Sequence, residues 1–353
     1  MTNRRPQSSL RSDWQRLRAI VSATDPRAVL AASHPASVDG VRVVTDLSAS
    51  PWPGERTVIT IGAYDGVHRG HQAVIAEVRR IAEATGARSA VLTFDRHPAS
   101  VVRPESAPQL LTDLDQKLEL LAATGIDATL VVKFDEAQSL EAPMSFAQRV
   151  LVDCVAASVV VVGEDFHFGH GREGNVATLR ELGAVRDFEV LPLSLLARSD
   201  GPDEPISSTA IRRAMAGGQV ELAATMLGHP FEARGIVVQG DQRGRLLGFP
   251  TANVEVPIVI CVPADGVYAG WYHRPDGSRH ACAINLGRRP TFYEHADHSL
   301  LEAHLLDFAG DLYTETARVE FTNFLRSERK FDGIDALVSQ LKNDVDHARA
   351  VLA

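Results

Sequence analysis

The sequence predicts an α/β doubly wound domain followed by a β-barrel that a C-terminal helix closes, in a chain of 353 residues. Three observations carry this expectation. Five short runs rich in Val, Ile and Leu, at 57–61, 89–94, 129–132, 158–162 and 189–193, alternate with amphipathic segments. After Gly228 the helical periodicity fades, and brief β-rich runs appear between Gly, Pro and Asp. From Gly333 a helical spacing returns through Leu337, Leu341 and Val345. A chain of this length is expected to build two cores rather than one.

The elements follow in order. Residues 1–40 are rich in Arg, Ser and Ala without a sustained period, which predicts a weakly ordered extension. The first domain is expected over 41–227, opening on a strand-like run at 41–45, and the second over 228–353. Runs that are apolar at every position, separated by helical patterns at 72–85, 113–124 and 145–156, imply parallel strands covered on both faces. Ligands of such sheets collect beyond the carboxyl ends of the strands, near the point where strand order reverses. In the second domain, strands expected at 233–238, 266–272, 281–286, 301–306 and 317–321 have the length and spacing of a small barrel.

Charge and cysteine content narrow the partners. A net charge of −9 speaks against an unaided nucleic-acid surface, but not against small anions held by local glycine loops and arginines. Cys154, Cys261 and Cys282 are odd in number and lack metal-ligand spacing, so neither a disulfide framework nor a zinc site is expected, and the compartment implied is a reducing cytoplasm. No run has the length of a membrane span, and Arg4-Arg5 precedes no apolar stretch, so neither membrane insertion nor secretion is expected. Oligomeric state stays open.

The chemistry concentrates first in Gly62-Ala63-Tyr64-Asp65-Gly66-Val67-His68-Arg69-Gly70-His71, directly after the run at 57–61 and at the start of a helical pattern. Gly62, Gly66 and Gly70 permit tight turns and close backbone approach to an anion. The free amides and positive dipole end of a helix N-terminus attract phosphate, and His68 and His71 add imidazole donors. Far along the chain, Ser207, Ser208 and Thr209 place hydroxyls at an expected helix start, with Arg212 one turn later on the same side. One hydroxyl is explained by capping; three followed by a guanidinium suit a triphosphate.

The histidine loop resembles the signature of the nucleotidylyltransferase superfamily, which is Rossmann-like in fold. With Asp65-Gly66-Val67-His68 it is similar to the adenylyltransferase half of the bacterial bifunctional riboflavin kinase/FMN adenylyltransferases, the prokaryotic FAD synthetases. The family usually has Phe where this chain has Tyr64. The resemblance implies that Gly62, Tyr64, Asp65, Gly66 and Gly70 contribute to ATP binding, that Ser207, Ser208 and Thr209 hold the β- and γ-phosphates, and that His68, His71 and Arg212 are catalytic. It also matches Gly163 and Asp165, in Val162-Gly163-Glu164-Asp165-Phe166, to the nucleotide site. Asp95, His97 and Pro98, in Thr93-Phe94-Asp95-Arg96-His97-Pro98, match a flavin loop, with Arg96 where Pro is frequent.

The second half resembles the riboflavin kinase of the same family. Gly244-Arg245-Leu246-Leu247-Gly248-Phe249-Pro250-Thr251-Ala252-Asn253 carries that resemblance, together with the segment from Asn285 to Thr291, Leu301-Glu302-Ala303-His304, and Arg326 with Glu328. Thr251 and Asn253 are hard oxygen donors of the type Mg²⁺ accepts beside waters and phosphates. The resemblance implies ATP contacts at Gly248 and Pro250, flavin contacts at Arg289, Thr291 and Arg326, and Glu302 as the general base. Thr314 stands where the family commonly has Gly, and His229 where Arg is common. The activities implied are phosphorylation of riboflavin to FMN and adenylylation of FMN to FAD, with ATP and Mg²⁺. The rivals are another small-molecule nucleotidylyltransferase with an accessory barrel and a non-catalytic flavin-binding protein.

Overall fold

The computed structural model describes residues 37–194, 205–240, 242–288 and 299–353. Residues 1–36 of the expected extension, and Arg289 and Thr291, lie outside the described residues. The first sheet is built from β1 (Ser37–Val38), β2 (Val41–Val44), β3 (Thr57–Ile61), β4 (Arg88–Phe94), β5 (Ala128–Val132), β6 (Ala157–Gly163) and β9 (Glu189–Leu193), in the order β1-β2-β5-β4-β3-β6-β9. From β2 onward every pairing is parallel. The edge hairpin of β1 and β2 turns at Asp39 and Gly40, both at positive φ, so the sheet already begins at Ser37. All residues of β3 and β5 are buried, the mark of strands covered on two faces.

Strand order decides where a ligand can sit. From β3 the chain moves through β4 to β5 on one side, then crosses to β6 and β9 on the other. The carboxyl ends of β3 and β6 therefore flank the switch point. Helix Arg69–Thr85 follows β3, turns Ile75, Val78 and Ala82 inward, and stops at Gly86, which supplies the left-handed φ of 66°. Helix Leu114–Ala122 is capped by Asp113, whose carboxylate accepts from the Gln116 amide. The helix expected at 145–156 begins as Pro143–Ala147 and widens into a π-helical stretch over Gln148–Cys154. A small hairpin of β7 (His167–Phe168) and β8 (Gly174–Asn175) follows β6.

The second half closes on itself. β10 (Phe231–Val238), β11 (Ala252–Glu255), β12 (Gly266–His273), β13 (Arg279–Arg288), β14 (Ser299–Leu305) and β15 (Thr316–Arg326) form an antiparallel barrel in the order β10-β11-β14-β13-β12-β15. β11 is not among the strands expected from the sequence in this half. Phe231, Tyr268, Tyr272 and Phe321 fill the interior. Helix Ile334–Leu352 covers the outside, with Ala348 against Ala269 and Ala283.

Helices Ser208–Ala216 and Val220–Leu227 precede Gly228, yet Ile211, Met215, Met226 and Leu227 join one apolar cluster with Phe231, Tyr268 and Phe321 of the barrel. The core is thus continuous across the junction at 227/228. Segment 109–112 adds a second tie, since the Leu110 amide donates to Val259 O and the Cys261 amide donates to Leu110 O, each at 2.7 Å.

Candidate active sites

The histidine loop leaves β3 through the Gly62 amide, which donates to Leu92 O at 3.0 Å. Gly66 is required where it stands, because φ is 79° and a Cβ would meet Leu111 Cδ1 at 2.9 Å. A Cβ on Gly70 would press on the His68 ring and the Ile206 carbonyl. Tyr64 is buried, its hydroxyl 2.7 Å from Thr60 Oγ1 and its ring centroid 4.8 Å from that of His71. The hydroxyl that distinguishes Tyr64 from Phe therefore has a partner.

His68 caps helix Arg69–Thr85. Its Nδ1 accepts from the His71 amide at 3.4 Å, which assigns the ring proton to Nε2 in the neutral form. The His68 and His71 rings stack with centroids 3.6 Å apart and planes at 17°. His71 Nδ1 is buried with no hydrogen-bond partner among the described residues. Burial, and then the Arg212 charge, push His68 down to about 4. Burial, His68 and Lys117 hold His71 well below its ordinary value. Both imidazoles are neutral in the ligand-free protein near pH 7, and an arriving polyphosphate favours their protonated forms.

A stability consequence follows for His68. Because its folded pKa lies below the unfolded 6.5, the unfolded chain binds more protons between those values, and stability falls as pH drops from 6.5 toward about 4. The full shift corresponds to about 3 kcal/mol. Urea unfolding at neutral pH and near pH 4 is expected to show a larger acid loss in the parent than in His68→Asn, which keeps a short capping acceptor. Equal losses in the two proteins would contradict the buried neutral histidine.

Across the crevice, Ser207 caps helix Ser208–Ala216 by accepting from the Ala210 amide at 3.2 Å, and Ser208 Oγ donates to Asp65 O at 3.0 Å. Thr209 is exposed. Asp65 is buried and accepts from the Leu111 and Thr112 amides at 2.9 and 3.1 Å, while Arg212 forms an ion pair with its Oδ2 and also donates through Nε to Gln109 O. The loop, segment 109–112 and Arg212 are thus one hydrogen-bonded unit. His229 adds to it, with Nε2 3.2 Å from Gly66 O, and Gln72 Nε2 donates to both Val67 O and Leu227 O.

The flanking loops lie at the neighbouring strand ends. Beyond β4, Asp95 accepts from the Phe134 amide at 2.8 Å and pairs with Arg96 at 3.0 Å, and His97 Nδ1 accepts from the Ala99 amide just past Pro98. Burial pushes His97 down. Beyond β6, Gly163 faces Asp165 so closely that a Cβ would stand 3.0 Å from its Oδ1, and Asp165 itself is exposed. The structure therefore brings His68, His71, Arg212, Asp65 and Ser208 together, with Ser207 and Thr209 at the start of the same helix and the Asp95 and Asp165 loops at the adjacent strand ends.

The second candidate site is on the outer wall of the barrel. In the register of β11 and β14, Asn253 is directly opposite Glu302, and Glu302 is also opposite Asn285 of β13. The flanking Ala252, Ala303, Val254 and Leu301 point into the core, so Asn253 and Glu302 share the outer face. Asn253 is nevertheless buried, packed so tightly under Gly240 that no Cβ fits there, and its Oδ1 has no hydrogen-bond partner among the described residues. The covering segment turns at Gly248, φ 86°, and Pro250 O lies 2.8 Å from His304 Nδ1 of β14. Thr251 is half-buried beside it. Arg326 is clasped by Asp344 of the C-terminal helix at 2.9 and 2.7 Å. Glu328 is raised by burial, with Asp265 and Glu302 contributing.

The fold is that of an ATP-dependent transferase class, a nucleotidylyltransferase-type sheet joined to a kinase-type barrel. The FAD synthetase family model matches residues 51–210, and the riboflavin kinase model matches residues 227–352. The bifunctional riboflavin kinase/FMN adenylyltransferase of Listeria monocytogenes is 38% identical over 310 residues, covering 87% of this chain and 96% of its own length. Its Escherichia coli K12 counterpart is 36% identical over 313 residues, covering 88% and 96%. A solved structure described as a macrolide-efflux protein from Streptococcus pneumoniae shares the fold, with TM-score 0.77 and 27% identity over 88% of this chain and 99% of that one. The chain belongs to the bifunctional riboflavin kinase/FMN adenylyltransferase family, and it makes FMN from riboflavin and FAD from FMN. No helix among the described residues is long and apolar enough to cross a membrane.

Proposed function

We propose that the two reactions run at separate sites, FMN adenylylation in the crevice between β3 and β6 and riboflavin phosphorylation at Asn253 and Glu302 on the barrel wall. The observation that carries the first assignment is the stacked, neutral His68–His71 pair at a helix N-terminus beside the switch point. There an FMN phosphate oxygen attacks the α-phosphorus of ATP and pyrophosphate leaves. His68 Nε2–H, the His71 ring and the helix amides stabilise charge on the transferring group, while Ser207, Ser208, Thr209 and Arg212 take the β- and γ-phosphates. Arg212 has five donors, so its bonds to Asp65 and Gln109 leave others for phosphate. Gly62, Tyr64, Asp65, Gly66 and Gly70 shape that loop; Gly163 and Asp165 border the nucleotide, and Asp95, His97 and Pro98 the flavin.

On the barrel, Glu302 accepts the proton of the ribityl 5′-hydroxyl as the γ-phosphoryl group moves. The orphaned Asn253 Oδ1, with Thr251 in the same segment, fits a hard cation that keeps waters and phosphate oxygens as its other ligands. Among the described residues no cluster of three His, Cys, Asp or Glu could hold a metal instead. Mg²⁺ bound there supplies neutralisation of phosphate charge. Gly248 and Pro250 border ATP; Arg289, Thr291 and Arg326 serve the flavin, with Asp344 fixing the Arg326 fork. Three free, buried cysteines support work in a reducing cytoplasm. Assaying each reaction separately in variants of each site tests the division.

A further inference from the structure

One buried cation in the first half belongs to none of the motifs above. Lys117, on helix Leu114–Ala122, is 7% exposed. Its Nζ donates to Phe94 O at 2.7 Å and to Ala63 O at 3.3 Å. Phe94 ends β4 and leads into Asp95 and His97, whereas Ala63 is inside the histidine loop. One ammonium thus joins the histidine loop after β3 to the Asp95 loop after the neighbouring β4. It borders a cavity of about 20 Å³, lined also by Asp65, Asp95, Arg96, His97 and Thr112.

Burying an ammonium is costly, and lysine is rarely buried without a partner. Two carbonyls do not require the charge, because a neutral amine has two hydrogens to donate. The carboxylates around it give the charge a use. Asp65 and Asp95 face Lys117 from the loops and Asp113 from its own helix cap, while the His71 and His97 rings lie within its field. Arg212 pairs with Asp65 and Arg96 with Asp95. Farther out, Arg234, Asp115 and Glu119 act on Asp113, and Arg103 acts on His97. Loss of the Lys117 proton makes this surround one unit more negative, facing two polyanionic substrates.

We infer that Lys117 is a positioning residue for FMN adenylylation, its ammonium tying the Ala63 and Phe94 carbonyls together and offsetting the Asp65, Asp95 and Asp113 carboxylates where FMN and ATP arrive. This rests on placing adenylylation at the histidine loop. Burial lowers the Lys117 pKa to about 8 against the three aspartates, which raise it, so the charge is shed within the range of an enzymatic pH profile. A purely structural lysine would shed its charge there too, but would leave KM for FMN unmoved.

The test measures kcat and KM for FMN adenylylation from about pH 6.5 to 9.5 in the full-length parent, Lys117→Gln and Lys117→Arg. In the parent, KM for FMN should rise by about fivefold or more between pH 7 and 9 as the charge is lost, with kcat changing far less. Lys117→Gln should show a similarly raised KM already at pH 7 and no alkaline rise, and Lys117→Arg should hold the low KM to pH 9. A parent KM flat to pH 9, or an alkaline rise that persists in Lys117→Gln, overturns the inference. Where a variant does not fold, the parent profile decides alone. His68→Ala/His71→Ala separates the two failures: normal adenylylation there removes the site assignment itself, whereas its loss beside a flat parent profile removes only the role of Lys117.

Discussion

His68→Ala combined with His71→Ala is expected to lower FMN adenylylation by on the order of a hundredfold or more, the usual consequence of removing a preorganised charge-stabilising donor, while riboflavin phosphorylation stays near the parent rate. The two rings are the side-chain donors that sit at the helix N-terminus and stack at 3.6 Å. Their neutrality before substrate arrives means that each offers a directed N–H without repelling the Arg212 guanidinium nearby. Alanine also removes the His68 cap, a loss of about 1 kcal/mol that thermal melting would register. The readout is FAD formed from supplied FMN and ATP, with FMN formed from riboflavin measured in the same preparation. Adenylylation at the parent rate in the double variant would remove both histidines from the mechanism.

The second large effect is expected at Glu302. Glu302→Gln preserves shape and hydrogen-bonding capacity but cannot accept the ribityl proton, so riboflavin phosphorylation should fall by roughly a hundredfold or more in kcat, with little change in KM for riboflavin. Asn253→Ala, across the register pair, should act differently by weakening the metal–nucleotide complex and raising KM for ATP. Steady-state assays with riboflavin and ATP varied in turn distinguish the two. An unchanged kcat in Glu302→Gln would exclude it as the base.

Much of this architecture was legible in the sequence, for identifiable reasons. β3 and β5 lie within a residue of where the apolar runs put them, because strands buried within a two-faced sheet need continuous apolar residues. The glycine spacing around His68 and His71 was readable because backbone approach and left-handed turns tolerate few other residues, as Gly66 shows. β11 was not, since four residues after a proline carry too little periodicity and Asn253 looks like a turn residue. The placement of helices Ser208–Ala216 and Val220–Leu227 in the barrel's apolar cluster was invisible too, because amphipathic spacing marks an inward face without naming its partner. Lys117 left one signal: Leu114, Lys117, Leu118 and Leu121 occupy i, i+3, i+4 and i+7, so a charged residue stands in an apolar stripe. The ties that hold Asp65 to segment 109–112 and to Arg212 join residues far apart in the chain, and no local pattern announces them.

The most direct test of the two-site account is to incubate the full-length parent and Glu302→Gln with ATP and Mg²⁺, supplying riboflavin in one series and FMN in the other, and to resolve riboflavin, FMN and FAD by chromatography. The account predicts that the parent converts riboflavin to FMN and on to FAD, and that Glu302→Gln makes FAD from supplied FMN at the parent rate while making almost no FMN from riboflavin. A folded Glu302→Gln protein that fails in both series, or a parent that makes neither flavin nucleotide, would contradict it.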